Sequence, residues 1–505
     1  MHVTGLGTIQ VPDSVVRPLR STLCNNDRLM RLGRVTFDLL SDDVLLEVFD
    51  FYMDQARKNG EIEAWHTLVH VCQKWRNVVF ESPRRLNNGL ICTARKPVRQ
   101  SLAIWPPLPI VVKQHGRPMS EWGVDNIVAA LEHNDRIREI DLWCIPGSLL
   151  EKALVAMKER FPALTSLDLQ CEDDTTSAAV PNSFMGGYAP SLKNLSLRSI
   201  PITFPGLQKL LLSATHLVNL SLIKIPFSGY PSPEAMVAAL STLTRLEELW
   251  LEFRSPQSHY HLPSLPPLAR TVLPSLTDLR FKGVSEYLED LVARIDAPQL
   301  HSLGATFFYQ LLFDIPQLTQ FVCRTPKLKA HDEAYLTISY SNASLTLQHR
   351  SGTKVALGVS CSKIDWQVSS LAQICTSSAP LFSTVELLHI GIDGFFSLPR
   401  WEDDIENGQW LDLLLPFTIV KNLYLSWKIA SRIISALEEL IGESVISVLP
   451  ALESLFVERL NLSGPVQEAI WPFVAARRLA SRPIAVSLWD GGVVGFGLDT
   501  SLALP

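Results

Sequence analysis

The chain has 505 residues, 47% of them hydrophobic, with a mean hydropathy of +0.15 and a formal net charge of −6. That is ample apolar material for a large core, and the near-neutral balance gives no general drive towards nucleic acid or an anionic membrane. The eight cysteines (Cys24, Cys72, Cys92, Cys144, Cys171, Cys323, Cys361 and Cys375) form neither C-x-x-C nor a zinc pattern, and no apolar run reaches the roughly 20 residues of a spanning helix.

In chain order, residues 1–35 show little periodicity and read as a loose lead-in. With no basic segment followed by an apolar one at the N-terminus, and with scattered cysteines that suit a reducing compartment, the expected location is the cytoplasm, the nucleus or both. Ser41 is a plausible N-cap, and Asp42 and Asp43 place negative charge where a helix dipole favours it. Val44, Leu45, Val48, Phe49 and Tyr52 then make an apolar helical stripe. Residues 53–63 are polar, contain the Asn59-Gly60 turn signal and read as a connection. Trp65, Leu68, Val69 and Cys72 mark a second helix. Trp75, Val78 and Val79 mark a third, which stops at Ser82-Pro83. Three short helices make a marginal core, so the module over 36–85 needs a partner surface or the next domain to cover its remaining apolar positions.

The pattern Leu40-x-x-Asp43-x-Leu45-x-x-Val48-Phe49, followed by Val71-Cys72-x-x-Trp75-Arg76 and Ser82-Pro83, resembles an F-box. More narrowly, Trp65 to Asn77 with Ser82-Pro83-Arg84-Arg85-Leu86 is similar to the large fungal F-box families, as are Ile104-Trp105-Pro106-Pro107-Leu108-Pro109-Ile110-Val111 and Asp365-Trp366-Gln367. The chain departs from that pattern at Ser41, where the family has Pro, and in the length of 53–64. The resemblance implies docking to the Skp-family adaptor of a cullin–RING ubiquitin ligase. It divides Leu40, Leu45, Val48, Phe49, Val71, Cys72 and Trp75 between the adaptor interface and the module's own core.

Residues 86–135 read as a linker and solenoid cap, and their basic run (Arg84, Arg85, Arg95, Lys96, Arg99) as a solvated face. Leu-x-x-Leu-x-Leu units follow over 136–330, at Ile137-Ile140-Leu142, Leu164-Leu167-Leu169, Leu192-Leu195-Leu197, Leu217-Leu220-Leu222, Leu246-Leu249-Leu251 and Leu276-Leu279-Phe281. They decay at Leu300-Leu303-Ala305 and Leu318-Phe321-Cys323, and return at Val385-Leu388-Ile390, Val420-Leu423-Leu425 and Leu452-Leu455-Val457. The first seven start 27, 28, 25, 29, 30 and 24 residues apart, close to a leucine-rich repeat. Period-2 alternation over 331–364 predicts an inserted β-meander, and 365–505 further repeats and a C-terminal cap, with a weakly patterned, glycine-bearing end. The expected fold is α/β: three N-terminal helices, then a solenoid with parallel strands on its concave side and helices on its convex side.

Strand positions between the buried leucines should face the concave side. An aromatic residue there is costly to leave in water, and aromatics and Arg dominate interface hot spots. Trp143, Trp250, Tyr424 and Phe456, with Arg198 and Arg280, are therefore candidates for protein cargo, set against the plainer reading of packing on neighbouring loops. His66 and His70 stand at metal-pair spacing, but Thr67 replaces the zincin Glu and no third ligand is evident. No phosphate loop, nucleophile elbow or cofactor motif appears. The N-x-S tripeptides at Asn194, Asn219, Asn342 and Asn461 read as chance, since a glycan on a repeat strand would obstruct stacking. The sequence thus points to a ligase substrate-recognition subunit with no catalytic residue and no cofactor. An interaction scaffold whose helical module caps the solenoid is the alternative.

Overall fold

The computed structural model describes residues 40–58, 63–82, 86, 89–95, 97–114, 120–172, 179–226, 229–254, 269–310, 312–392, 405–440, 444–458 and 465–489. The lead-in 1–35, the Asn59-Gly60 turn, Cys24, Arg84, Arg85, Lys96, Asn461 and the late glycines lie outside them. The chain divides into two compact units, residues 1–88 and 89–505.

In the first unit, α1 spans Asp42–Lys58, α2 Trp65–Val69 and α3 Gln73–Glu81. The Val44 amide donates to the Ser41 hydroxyl at 3.4 Å, so Ser41 opens α1. The helix runs on to Lys58 through residues expected to form a connection. Met53 and Ala56, both buried, continue the row begun by Leu45 and Phe49, and that row keeps the polar segment helical. Phe49 meets Trp75 edge-on at 4.8 Å, and Trp65 meets Phe80 at 6.1 Å. The Lys74 ammonium donates to the Leu40 carbonyl at 2.6 Å, and Arg76 to the Val69 carbonyl at 3.0 Å. These bonds tie α3 to the start of α1 and to the end of α2.

The second unit opens with β1 (Leu90–Thr93), α4 (Val98–Ile104), β2 (Ile110–Gln114), α5 (Glu121–Leu131), β3 (Ile137–Ile145), α6 (Gly147–Ala156), β4 (Ser166–Cys171) and β5 (Asn194–Arg198). Next come α7 (Phe204–Ser213), β6 (Asn219–Ile225), α8 (Pro233–Leu240), β7 (Glu248–Phe253), β8 (Thr271–Val272), β9 (Asp278–Gly283), α9 (Ser285–Ala293), β10 (Ile295–Asp296), β11 (Ser302–Phe308) and α10 (Pro316–Arg324). The last part holds β12 (Glu333–Ile338), β13 (Asn342–Gln348), β14 (Lys354–Ser360), α11 (Ile364–Ser377), β15 (Leu387–Ile392), α12 (Asn407–Leu414), β16 (Asn422–Leu425), α13 (Trp427–Glu438), α14 (Ser444–Ser447), β17 (Ser454–Glu458), α15 (Pro465–Leu479) and β18 (Ala485–Trp489).

Sixteen of these strands form one mainly parallel sheet. The repeat leucines explain it. Leu167 pairs with Leu195, Leu195 with Leu220, Leu220 with Leu249 and Leu249 with Leu279. The turn residues Leu164, Leu192, Leu217, Leu246, Leu276 and Leu300 are all buried beneath them. A backbone ladder links successive turns, with Thr165 donating to Arg138, Lys193 to Thr165, Val218 to Lys193 and Glu247 to Val218, each at 2.8 Å. In β4, β5, β9 and β13 one row is buried and the alternate row is left partly exposed, the arrangement expected of stacked leucine-rich units.

The sheet continues unbroken through the meander. β14 lies parallel to β11, β13 and β12 follow antiparallel, and β12 lies parallel to β15. The three strands thus enter in reverse chain order, and the buried row passes from Leu303 through Val355, Leu347 and Ala334 to Leu388.

One expectation needs correction. Leu318-Phe321-Cys323 is not a strand unit but lies on α10. Pro316 sits in its first turn, and Leu318, Phe321 and Val322 bury one helical face. Within 86–135, read as linker and solenoid cap, β1 and β2 form the first two strands of the sheet.

Candidate binding surfaces

Two surfaces gather apolar or aromatic side chains that are exposed or half-buried. The first is on the N-terminal unit. Val44, Val48 and Phe51 stand at i, i+4 and i+7 on α1 with 46, 51 and 77% of their surface exposed, and Val71 is 55% exposed. Of the residues the motif offered for the adaptor, Val48 and Val71 are exposed, and Leu40, Cys72 and Trp75 are half-buried. Leu45 and Phe49 point inward, at 1% and 0% exposure, and fall on the core side of that division. Val44 and Phe51 were missed. Their helical spacing from Val48 was the available signal.

The second surface is the open face of the sheet. Trp143 is exposed and donates its indole N–H to the Asp168 carboxylate at 3.3 Å. It lies where β3 shifts register ahead of Ile145, with Cys144 at φ 52°; such a bulge redirects a strand end. Four strands on, Trp250 lies between two guanidiniums, Arg198 at 5.9 Å and Arg280 at 5.7 Å from the ring centre. Arg280 also pairs with Asp278 at 3.0 Å, whereas Arg198 makes no ion pair among the described residues.

Tyr424 and Phe456 belong to a longer aromatic row. Parallel registry aligns Tyr335, His389, Tyr424 and Phe456 on β12, β15, β16 and β17. Their rings stack at 4.7, 4.5 and 4.4 Å, and Trp489 meets Tyr424 edge-on at 5.5 Å. Burial pushes the His389 imidazole down to about 4, so near neutral pH it stacks as an uncharged ring. The Tyr335 hydroxyl is tied to Glu333 at 2.6 Å. Structure therefore brings together Arg198, Trp250 and Arg280, and separately Tyr424 and Phe456, while Trp143 stands apart. Tyr335, His389 and Trp489 escaped the sequence reading. For His389 the signal was its place between Leu388 and Ile390, the position Tyr424 and Phe456 hold in their own units.

Of the other residues considered, His66 lies against the Trp65 ring at 3.9 Å. The Asn219 amide donates to the Asn194 side-chain oxygen at 2.8 Å, forming a ladder between adjacent strands. Among the described residues no group of three or more His, Cys, Asp or Glu is placed to hold a metal ion, and no helix is long and apolar enough to cross a membrane.

No family model matches the chain, and no curated protein matches it. Sixteen chains of known structure do. One is the leucine-rich repeat-containing protein LegL7 from Legionella pneumophila, 12% identical, with a TM-score of 0.25, covering 76% of this chain and 97% of its own. The repeat architecture accordingly stands on the register ladders of this sheet: a mixed α/β, leucine-rich-repeat-like fold that follows the helical unit in sequence.

Proposed function

We propose that the chain is a substrate-recognition subunit of a Skp–cullin–F-box ubiquitin ligase. The observation that carries this reading is the exposed row of Val44, Val48 and Phe51 on α1. An apolar helix face left in water on so small a unit is expected to be covered by another chain, and the F-box-like motif, which includes Val48, supports the Skp-family adaptor as that chain. The sheet's open face, with its aromatic row and its Arg-flanked Trp250, is where protein cargo would be held. Catalysis is then proximity, raising the cargo's effective concentration near the charged enzyme, with no catalytic residue supplied by this chain.

The test is co-expression with a Skp-family adaptor followed by pull-down, comparing wild type with Val48→Asp plus Phe51→Asp. Both side chains are exposed, so the variant should keep its circular dichroism spectrum and lose the adaptor. A well-folded wild-type chain that captures no adaptor would sink the ligase reading and leave an interaction scaffold.

A further inference from the structure

The sheet ends at β18, and that end is apolar. Among the described residues β18 pairs with β17 alone, so its far edge is unpaired there. The Ala485 amide donates to the Glu453 carbonyl at 2.8 Å, which fixes the direction of the strand's backbone groups. Successive residues alternate, so the N–H and C=O of Val486 and Leu488 point outward from the sheet edge. Their side chains extend the row of Leu455 and Val457. Leu455 and Val457 are buried, whereas Val486 is half-buried and Leu488 is 45% exposed. On α15, Trp471 and Leu479 are exposed too. Natural sheets blunt such an edge with a charge, a proline or a cover, and a terminal solenoid unit turns a polar side outward. Ala485-Val486-Ser487-Leu488-Trp489 carries no charge and no proline.

We propose that β18 pairs antiparallel with β18 of a second copy of this chain, joining two sheets across a two-fold axis at Ser487. The strand selects a copy of itself because it is self-complementary about that residue. Val486 then stands opposite the partner's Leu488, and Leu488 opposite the partner's Val486. Residues opposed in this way exchange both N–H···O bonds, and these are the residues whose backbone groups point outward. Both apolar side chains continue the buried row of one sheet into the other. Ala485 meets the partner's Trp489, a small side chain against a large one, and Ser487 meets the partner's Ser487. This centre alone matches every residue of β18 with another of β18, and no like charges oppose each other in it. A two-fold axis through an antiparallel pair stands perpendicular to the sheet, so both helical layers lie on one side. That puts α15, with its exposed Trp471 and Leu479, next to the partner's α15. The two open faces also lie on one side, so a cargo with two copies of its motif is held bivalently. The inference stands apart from the adaptor reading, which concerns the N-terminal unit.

The experiment is sedimentation velocity of the full chain over a concentration series, with cross-linking to fix the register. The wild type should dimerise. Leu488→Lys brings two like charges into the pairing and should weaken the dimer about tenfold or more. Ser487→Cys should give a disulfide-linked dimer under mild oxidation, because a non-hydrogen-bonded pair stands about 4.5 Å apart between Cα atoms. Ala485→Cys should not, because its two copies lie about 13 Å apart along the strands. Both yields are read above the wild-type background from the exposed Cys144 and Cys323. Circular dichroism and thermal melting check that each variant folds. Should Leu488→Lys melt early, the cross-linking pair decides, since Ala485 and Ser487 are both exposed. A wild type that stays monomeric, a dimer that a folded Leu488→Lys leaves intact, or equal cross-linking at 485 and 487 would overturn the proposal.

Discussion

His331 is 1% exposed, and neither ring nitrogen finds a hydrogen-bond partner of ordinary geometry. Burial, with a smaller push from His349, holds its imidazole down to about 4, from 6.5. The folded chain therefore resists protonation that the unfolded chain accepts. The stability present above pH 6.5 is lost progressively as pH falls towards 4. With those two values, the wild type should lose about 0.2 kcal/mol at pH 7.0 and about 2.5 kcal/mol at pH 4.5, a large share of a marginal total. His331→Leu removes the titration and the buried ring nitrogens, together with their contact to the Leu328 backbone, while keeping apolar bulk, so near neutrality it should be close to neutral. The assay is urea denaturation followed by tryptophan fluorescence at both pH values. Wild type minus variant should change by about 2.3 kcal/mol between them. Parallel pH dependence in the two proteins would refute the reasoning, because a histidine that is solvated or paired in the folded state would not distinguish the conditions.

Three further outcomes follow from local geometry. A Cβ at Gly283 would stand 2.7 Å from both the Phe253 and Phe281 rings, whereas one at Gly304 meets nothing; Gly283→Ala should cost about 1–3 kcal/mol in denaturant melts and Gly304→Ala almost nothing. Both carboxylate oxygens of Glu289 accept amides of the first turn of α10, from Gln317 and Leu318 at 2.8 Å each; Glu289→Gln keeps one acceptor and should lower stability by about 1–3 kcal/mol, with faster hydrogen exchange at those two amides as the readout. Phe49→Ala, at a fully buried site facing Trp75, should cost the N-terminal unit about 3–5 kcal/mol and expose it to limited proteolysis, whereas Phe51→Ser should leave its protease resistance unchanged.

The repeat core was legible because Leu-x-x-Leu-x-Leu encodes geometry directly: one leucine in the turn and two a strand step apart specify a buried row. The same pattern misled at Leu318-Phe321-Cys323, because a spacing of three also fits one helical face, and Pro316 is what decides between them. β1, β2 and β18 carry alternating apolar residues without a leading turn leucine, so they lacked the mark that identified their neighbours. Period-2 alternation announced the strands of the meander but not their reversed order, which depends on which edge β11 leaves free. The aromatic row was hidden for that reason. Tyr335 and His389 are 54 residues apart in sequence and become neighbours only once β12 is placed beside β15.

The N-terminal unit shows where pattern alone runs out. Between Val44 and Met53 eight of ten positions are apolar or aromatic, so at about 100° per residue the stripe of Val44, Leu45, Val48, Phe49 and Tyr52 is too wide to say which of its residues turn inward. A helix of that kind is ordinarily buried all round, yet three helices have too little material to cover both its sides. Packing divides the residues: Leu45, Leu46, Phe49 and Met53 go inward, Phe49 against Trp75, and Val44, Val48 and Phe51 stay out. The apparent excess of hydrophobicity is thus two faces superposed on one helix. The inner face accounts for the fold of the unit, and the outer face is the surface the proposed adaptor would cover.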